Sequence, residues 1–334
     1  MPSGDRYREV QAALQLLFPP GRVFEIRVLG DDGTSSGYFT DHTAAANELL
    51  IRDNDPRVSG IYVTLNEVNP VLLARRANRI KFRLGKKDAT TADADIIRRR
   101  WLPIDIDPIR PSGISSSDEE HTRALVLAEI IEAFLSDLGW SRPIIADSGN
   151  GAHLLYPIDL PNDEENRTLI QSVLEFLDTR FSTSACTVDT GNFNSSRIWK
   201  VYGTVSRKGD PLPDRPHRRS RIIFAPEERT IITAEQLSGL CALYPTQGDQ
   251  TVEIHHDRRG AGGGNFDLGS WLSAHHLSSA AKPYQGGTLF VLDTCPFSDA
   301  HTDGAFAIQF PNGAIFAGCH HNSCGSGRQR WPEL

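Results

Sequence analysis

The chain has 334 residues, 39% hydrophobic and 23% charged, with a formal net charge of −7. That length is enough for two domains, and the composition is that of an ordinary soluble protein with ample material for a core. The acidic balance argues against global nucleic-acid binding and leaves only local patches to consider. No secretory or membrane-span pattern is read: the most apolar helical run, "ALVLAEIIEAFL", is broken by Glu129 and Glu132. A cytoplasmic protein that needs no membrane is expected.

In chain order, residues 5–17 carry a helical period. "RVFEIRVLG" (22–30) and "GIYVTLN" (60–66) read as strands, with a helix over 41–52 between them. "NPVLLARRANRIKFRLGKK" (69–87) is basic and reads as a helix followed by a loop, and "RRRWLPIDID" (98–107) as a strand. Ser117 with Glu120 makes a capping box that opens an amphipathic helix over 118–138. Asn162 with Glu165 does the same for a helix over 163–181. "DSGNGAHLLY" (147–156) is a glycine loop leading into a strand at Leu154. "RIWKVYG" (197–203) and "RIIFA" (221–225) are further strands, and "TAEQLSGLCALY" (233–244) a further helix. The mixture predicts an α+β or α/β core within a first domain, 1–245. Residues 246–264, rich in Gly and polar side chains, read as a flexible linker. A second domain, 265–334, holds short strand-like runs at "GTLFVLDTC" and "FAIQF…GAIFAGC". The last residues, "RQRWPEL", look like the opening of a helix, so the chain is expected to continue beyond Leu334.

Four constellations carry chemistry. In "LPIDIDP", residues two apart on a strand share a face, so Asp105 and Asp107 project together while Ile104 and Ile106 enter the core. Paired carboxylates repel, and a divalent cation offsets that cost. Asp189 supplies a third acid, which is what two cations bridging a triphosphate and a hydroxyl require. Gly149 and Gly151 can take positive φ and let backbone amides near a phosphate. Ser148, Asn150 and His153 lie on the same loop, with His153 as phosphate donor. After Asp189, the cations Arg197, Lys200, Arg207, Lys208, Arg215, Arg218, Arg219 and Arg221 outnumber Asp210 and Asp214. Arg197, Lys200 and Lys208 suit the nucleotide, and Arg215, Arg218, Arg219 and Arg221 the phosphates of a template. Of five cysteines, Cys186 and Cys241 are isolated and read as small buried hydrophobes. Cys295, Cys319 and Cys324 with His301 make a tetrahedral structural zinc site, with His320 and His321 competing for the fourth position.

Together these residues resemble the archaeo-eukaryotic primase superfamily, in particular its primase-polymerase branch of phages, plasmids and CRISPR-associated loci. The blocks "DIDPIRPSGISSSDEEH", "ADSGNGAHLLY", "NFNSSRIWKVYGTVSRKGD" and "DRPHR" are similar to that family's motifs, in order, over most of the chain. The resemblance implies a core of an N-terminal αβ unit and an RRM-like palm with the active site between them, followed by a zinc-binding module. It implies Asp105 and Asp107 as the first motif, His153 as the second and Asp189 as the third acid, with two catalytic Mg²⁺ or Mn²⁺ ions. Gly151 stands where the second motif often has serine, so a serine contact would come from Ser148. "CPF…HT" resembles zinc-binding primase modules with the histidine displaced. The partners implied are a single-stranded DNA template, NTPs or dNTPs, and a downstream helicase or other replication or CRISPR-associated proteins. A D-x-D glycosyltransferase explains Asp105 and Asp107 alone. A non-catalytic nucleic-acid-binding module of a mobile-element replication protein would bind DNA without these acids.

Overall fold

The computed structural model describes residues 4–243, 267–284, 287–298, 304–310 and 315–319, with 321, 324, 330 and 331. The chain divides into two compact units, Met1–Gln250 and Thr251–Leu334. The linker expected over 246–264 lies outside the described residues.

The first unit opens with α1 (Gly4–Leu17), β1 (Phe24–Gly30), β2 (Gly33–Phe39), α2 (His42–Asp53), β3 (Val58–Thr64) and β4 (Glu67–Val68). It continues with β5 (Ile96–Pro108), α3 (Asp118–Asp137), β6 (Ile144–Asp147), β7 (Ala152–Pro161), α4 (Glu164–Phe181) and β8 (Cys186–Val188). It closes with β9 (Ile198–Lys200), β10 (Val205–Ser206), β11 (Arg218–Arg219), β12 (Arg221–Phe224) and α5 (Ala234–Ala242). One sheet runs β2-β1-β3-β9 and a second β12-β6-β7-β5-β4, with β8 also on β5. The alternation Phe24, Ile26, Val28 on β1 turns one face of the first sheet onto α1 and α2. The apolar stripes of α3, α4 and α5 cover the second sheet, over Leu102, Ile104, Ile106, Leu154 and Tyr156. The mixed α and β content agrees with the sequence reading.

Two elements differ from it. Asp163, not Asn162, caps α4, accepting from the Asn166 amide at 2.9 Å. The Asn162 side chain instead donates to the Asp93 and Ile96 carbonyls, each at 2.8 Å. In 69–87 the helix is one short 3₁₀ stretch, Pro70–Arg75, started by the Asn69 cap and Pro70.

The second unit contains α6 (Leu268–Ala274) and an antiparallel meander of β13 (Ser279–Tyr284), β14 (Gly287–Leu292), β15 (Ala305–Gln309) and β16 (Ile315–Cys319). Among its described residues, Leu268, Leu272, Phe290, Leu292, Ala307 and Ala317 pack around three cysteines. Among the described residues no helix is long and apolar enough to cross a membrane.

Candidate active site

Period-2 alternation on β5 buries Ile104 and Ile106 completely and leaves Asp105 and Asp107 together on the other face. Asp105 is the register partner of His153 on β7, and Asp107 of Thr187 on β8. Where β8 ends, the Asp189 amide donates to the Asp105 carbonyl at 2.8 Å, which brings the third acid to the pair. The Asp189 carboxylate accepts from the Gly191 amide at 2.8 Å and lies 3.1 Å from Arg197.

The acids Asp105, Asp107 and Asp189 and the expected nucleotide contacts Ser148, Asn150, His153, Arg197, Lys200 and Lys208 line one cavity of about 400 Å³. Enclosure by the cavity walls, and then the charge of Asp105, push the Asp107 carboxyl above the ordinary carboxylate range, against Lys208 and Arg110. A carboxylate pair held against its own repulsion fits the donor set of a divalent cation.

His153 is buried, packed on Trp199 at a ring separation of 3.9 Å. Its Nε2 lies 3.4 Å from an Asp105 oxygen, and its Nδ1 lies 3.0 Å from the Tyr202 hydroxyl. Tyr202 also accepts from Trp199 Nε1 at 2.9 Å. The single hydroxyl proton is then available to Nδ1, which assigns the ring proton to Nε2, facing Asp105. His153, expected as a phosphate donor, lines the cavity with its two ring nitrogens facing a carboxylate and a phenol.

The glycine loop differs from expectation. Gly149 does take positive φ, +94°. Gly151 does not need it; a side chain there would place Cβ 2.2 Å from the Ile106 carbonyl oxygen, so its role is close approach to β5. The two amides expected at a phosphate are spent inside the loop. Gly149 donates to Asp147 at 2.7 Å and Gly151 to the Ser148 hydroxyl at 2.9 Å. Asn150 accepts from the Ser116 amide at 2.9 Å, which ties the loop to the start of α3.

Lys200 is buried, donating to the Thr204 hydroxyl at 2.8 Å and the Val205 carbonyl at 2.9 Å. Burial lowers its pKa to about 7, with Asp53 opposing and Arg207 assisting the shift.

The four expected template arginines do not line the cavity. Arg215 makes a bidentate pair with Glu120 at 2.7 and 2.9 Å. Arg218 binds Asp118 at 2.6 Å and the Ser116 carbonyl at 2.7 Å. Arg219 lies 3.7 Å from Glu9 and Arg221 3.6 Å from Asp147. Arg215 and Arg218 are paired with the acids in the first turn of α3 and pin the 115–120 segment, while Arg219 and Arg221 stay largely exposed. Sequence reasoning missed Tyr62, Asn192 and Ser206 in the cavity wall and Tyr202 behind His153. Tyr62 and Tyr202 sit in stretches whose only visible signal was that of a strand.

In the second unit, Cys295, Cys319 and Cys324 are buried with their sulfurs all within 4.8 Å of one another, a group that could hold a metal such as zinc. Burial, then the neighbouring thiols, push the Cys295 thiol up to about 11. His301 and His320 lie outside the described residues. His321 sits with Nδ1 3.4 Å from the Cys319 sulfur.

No protein-family model matches the chain, and no curated protein matches it. Among solved structures, the crystal structure of primase RepB' is similar at a TM-score of 0.39 and 10% identity, covering 71% of this chain. The match spans 62% of that structure's chain, and a likeness this faint leaves the chemistry of the present chain to its own residues.

Proposed function

We propose that the chain is a template-dependent nucleotidyl transferase that makes and extends primers on single-stranded DNA. The observation that carries this reading is one cavity shared by three carboxylates, Asp105, Asp107 and Asp189, and three cations, Arg197, Lys200 and Lys208. The carboxylates would hold Mg²⁺ or Mn²⁺, which would supply charge compensation along a triphosphate and a lowered pKa for the attacking hydroxyl. Lys200, Lys208 and Arg197 bind the anionic triphosphate, and Asn150 fixes the loop beside it. His153 orients Asp105 through Nε2. A D-x-D glycosyltransferase leaves Asp189 and its cationic neighbours without a task. The three cysteines of the second unit are proposed as a structural zinc site, with His321 or one of the histidines outside the described residues completing it.

The test is incubation with single-stranded DNA, labelled nucleotides and Mg²⁺ or Mn²⁺, without primer. Oligonucleotide products that vanish in folded Asp105→Ala and Asp107→Ala variants are expected. Near-normal incorporation by either variant overturns the assignment.

A further inference from the structure

We infer that residues 79–87, remote from the cavity's acids, form a docking surface for single-stranded nucleic acid. In a chain of net charge −7, residues 75–87 contain seven cations and no carboxylate. Arg79, Lys81, Arg83, Lys86 and Lys87 are exposed. Lys81 is partly neutralised by Asp88 at 2.7 Å and Arg83 by Asp32 at 2.8 Å. Arg79, Lys86 and Lys87 make no ion pair with the described residues.

The segment is held in place rather than draped. It runs along the free edge of β2 through five backbone hydrogen bonds of 2.7–3.1 Å, between Thr34, Ser36 and Tyr38 and residues 76–84. Ile80 points inward, 8% exposed, and anchors it to the core. Gly37 is required there: a Cβ would meet the Arg79 carbonyl oxygen at 2.1 Å.

Between Lys81 and Arg83, Phe82 is 54% exposed, with the Arg52 guanidinium 3.7 Å from its ring centroid. An exposed ring interleaved with cations is what a single strand uses: bases stack while phosphates meet the charges. An anionic membrane fits less well, because Phe82 is the one large hydrophobic side chain exposed between 75 and 87.

The position also connects to the cavity. Lys200, Tyr62, Arg27, Ser36 and Lys81 are successive partners across the first sheet. Tyr62 is itself in the cavity wall, and three steps of about 4.8 Å put Lys81 about 14 Å from it. A strand lying on 79–87 would thus run toward the acids. That last link rests on the polymerase reading; the surface itself does not.

The probe is a fluorescein-labelled oligothymidylate, read by anisotropy over a salt series without nucleotide or metal. The triple variant Arg79→Glu, Lys86→Glu, Lys87→Glu is expected to bind at least about tenfold more weakly and to flatten the slope of log K against log salt by about 2. Phe82→Ala is expected to lose about tenfold, and Phe82→Trp to recover it. Circular dichroism and melting temperature confirm folding of each variant. Wild-type affinity in the folded triple variant overturns the inference. So does a wild-type chain that prefers phosphatidylserine vesicles to the oligonucleotide. Binding through 79–87 by a chain that makes no primer upholds this surface and removes the polymerase reading.

Discussion

The Tyr202 hydroxyl meets Trp199 Nε1 at 2.9 Å and His153 Nδ1 at 3.0 Å, so replacing it by hydrogen leaves a donor and an acceptor unpaired in the core. Tyr202→Phe is expected to cost about 1–3 kcal/mol of stability. Incorporation should fall about 10–100-fold, as when the partner that orients a ligand is lost. Denaturant melts and primer yield measure the two effects. A variant that loses stability and keeps its rate would reduce Tyr202 to packing. Lys200 carries the pH dependence. Its folded pKa is about 7 against an ordinary 10.5, so between those values the unfolded chain binds a proton that the folded chain lacks. Stability attributable to this group therefore rises with pH across that window, and the cost of burying the ammonium is full below pH 7. Lys200→Met should accordingly gain most in melting temperature, relative to wild type, below pH 7, with the gain shrinking toward pH 10.5. A triphosphate favours the charged form, so nucleotide affinity should weaken as pH climbs above 7 in the wild type and not in Lys200→Met. Calorimetric melts and nucleotide titrations across the pH range check both slopes.

At the level of elements, the site depends on how closely the start of β7 approaches β5. Gly151→Ala would drive Cβ to 2.2 Å from the Ile106 carbonyl, backbone that cannot swing aside. The expected cost is about 1–3 kcal/mol, with a loss of incorporation because Asp105 and Asp107 flank Ile106. A variant of wild-type stability and activity would mean that the two strands are not locked together. Much of this framework was legible in the sequence. The D-x-D pair follows from alternation with two isoleucines, and the start of α3 follows from Ser117 and Glu120, whose reciprocal bonds are present. Other elements were hidden for physical reasons. β2, "GTSSGYF", is polar and glycine-rich, and its buried Ser35 and Ser36 are satisfied by the Arg83 amide and Glu25, partners that only the fold brings near. β6, "IIAD", is buried at all four positions and so shows no alternation. Arg215 and Arg218 looked free because their acids lie far away in the chain. Arg215 and Glu120 are 95 residues apart, and Arg218 and Asp118 are 100.

For the whole molecule, the contrast between the two units sets the final expectation. The first unit has two large apolar clusters: one joins α1, α2 and the first sheet to Trp101, Ile144, Ala146 and Leu155 of the second, and the other lies between the second sheet and α3, α4 and α5. Among the described residues the second unit has one cluster, in which three of ten buried residues are cysteines. Its strands β15 and β16 place Ala305 opposite Cys319, so the sulfur group sits at the end of the hairpin that the unit depends on. A small cluster of this kind would gain free energy from a bound metal, and the proposed tetrahedral zinc site would supply it. One zinc ion per chain is therefore expected by metal analysis of the purified protein, and its absence would sink the assignment. A strong chelator should abolish or sharply lower one of two calorimetric transitions while leaving the other in place. Cys319→Ser should do the same without chelator, because it removes one ligand from the group. The surviving transition should match that of a chain ending at Gln250, since the two units are separate bodies of contacts. If chelation instead lowers both transitions together, the metal stabilises more than the second unit, and the cysteine group is not an independent staple.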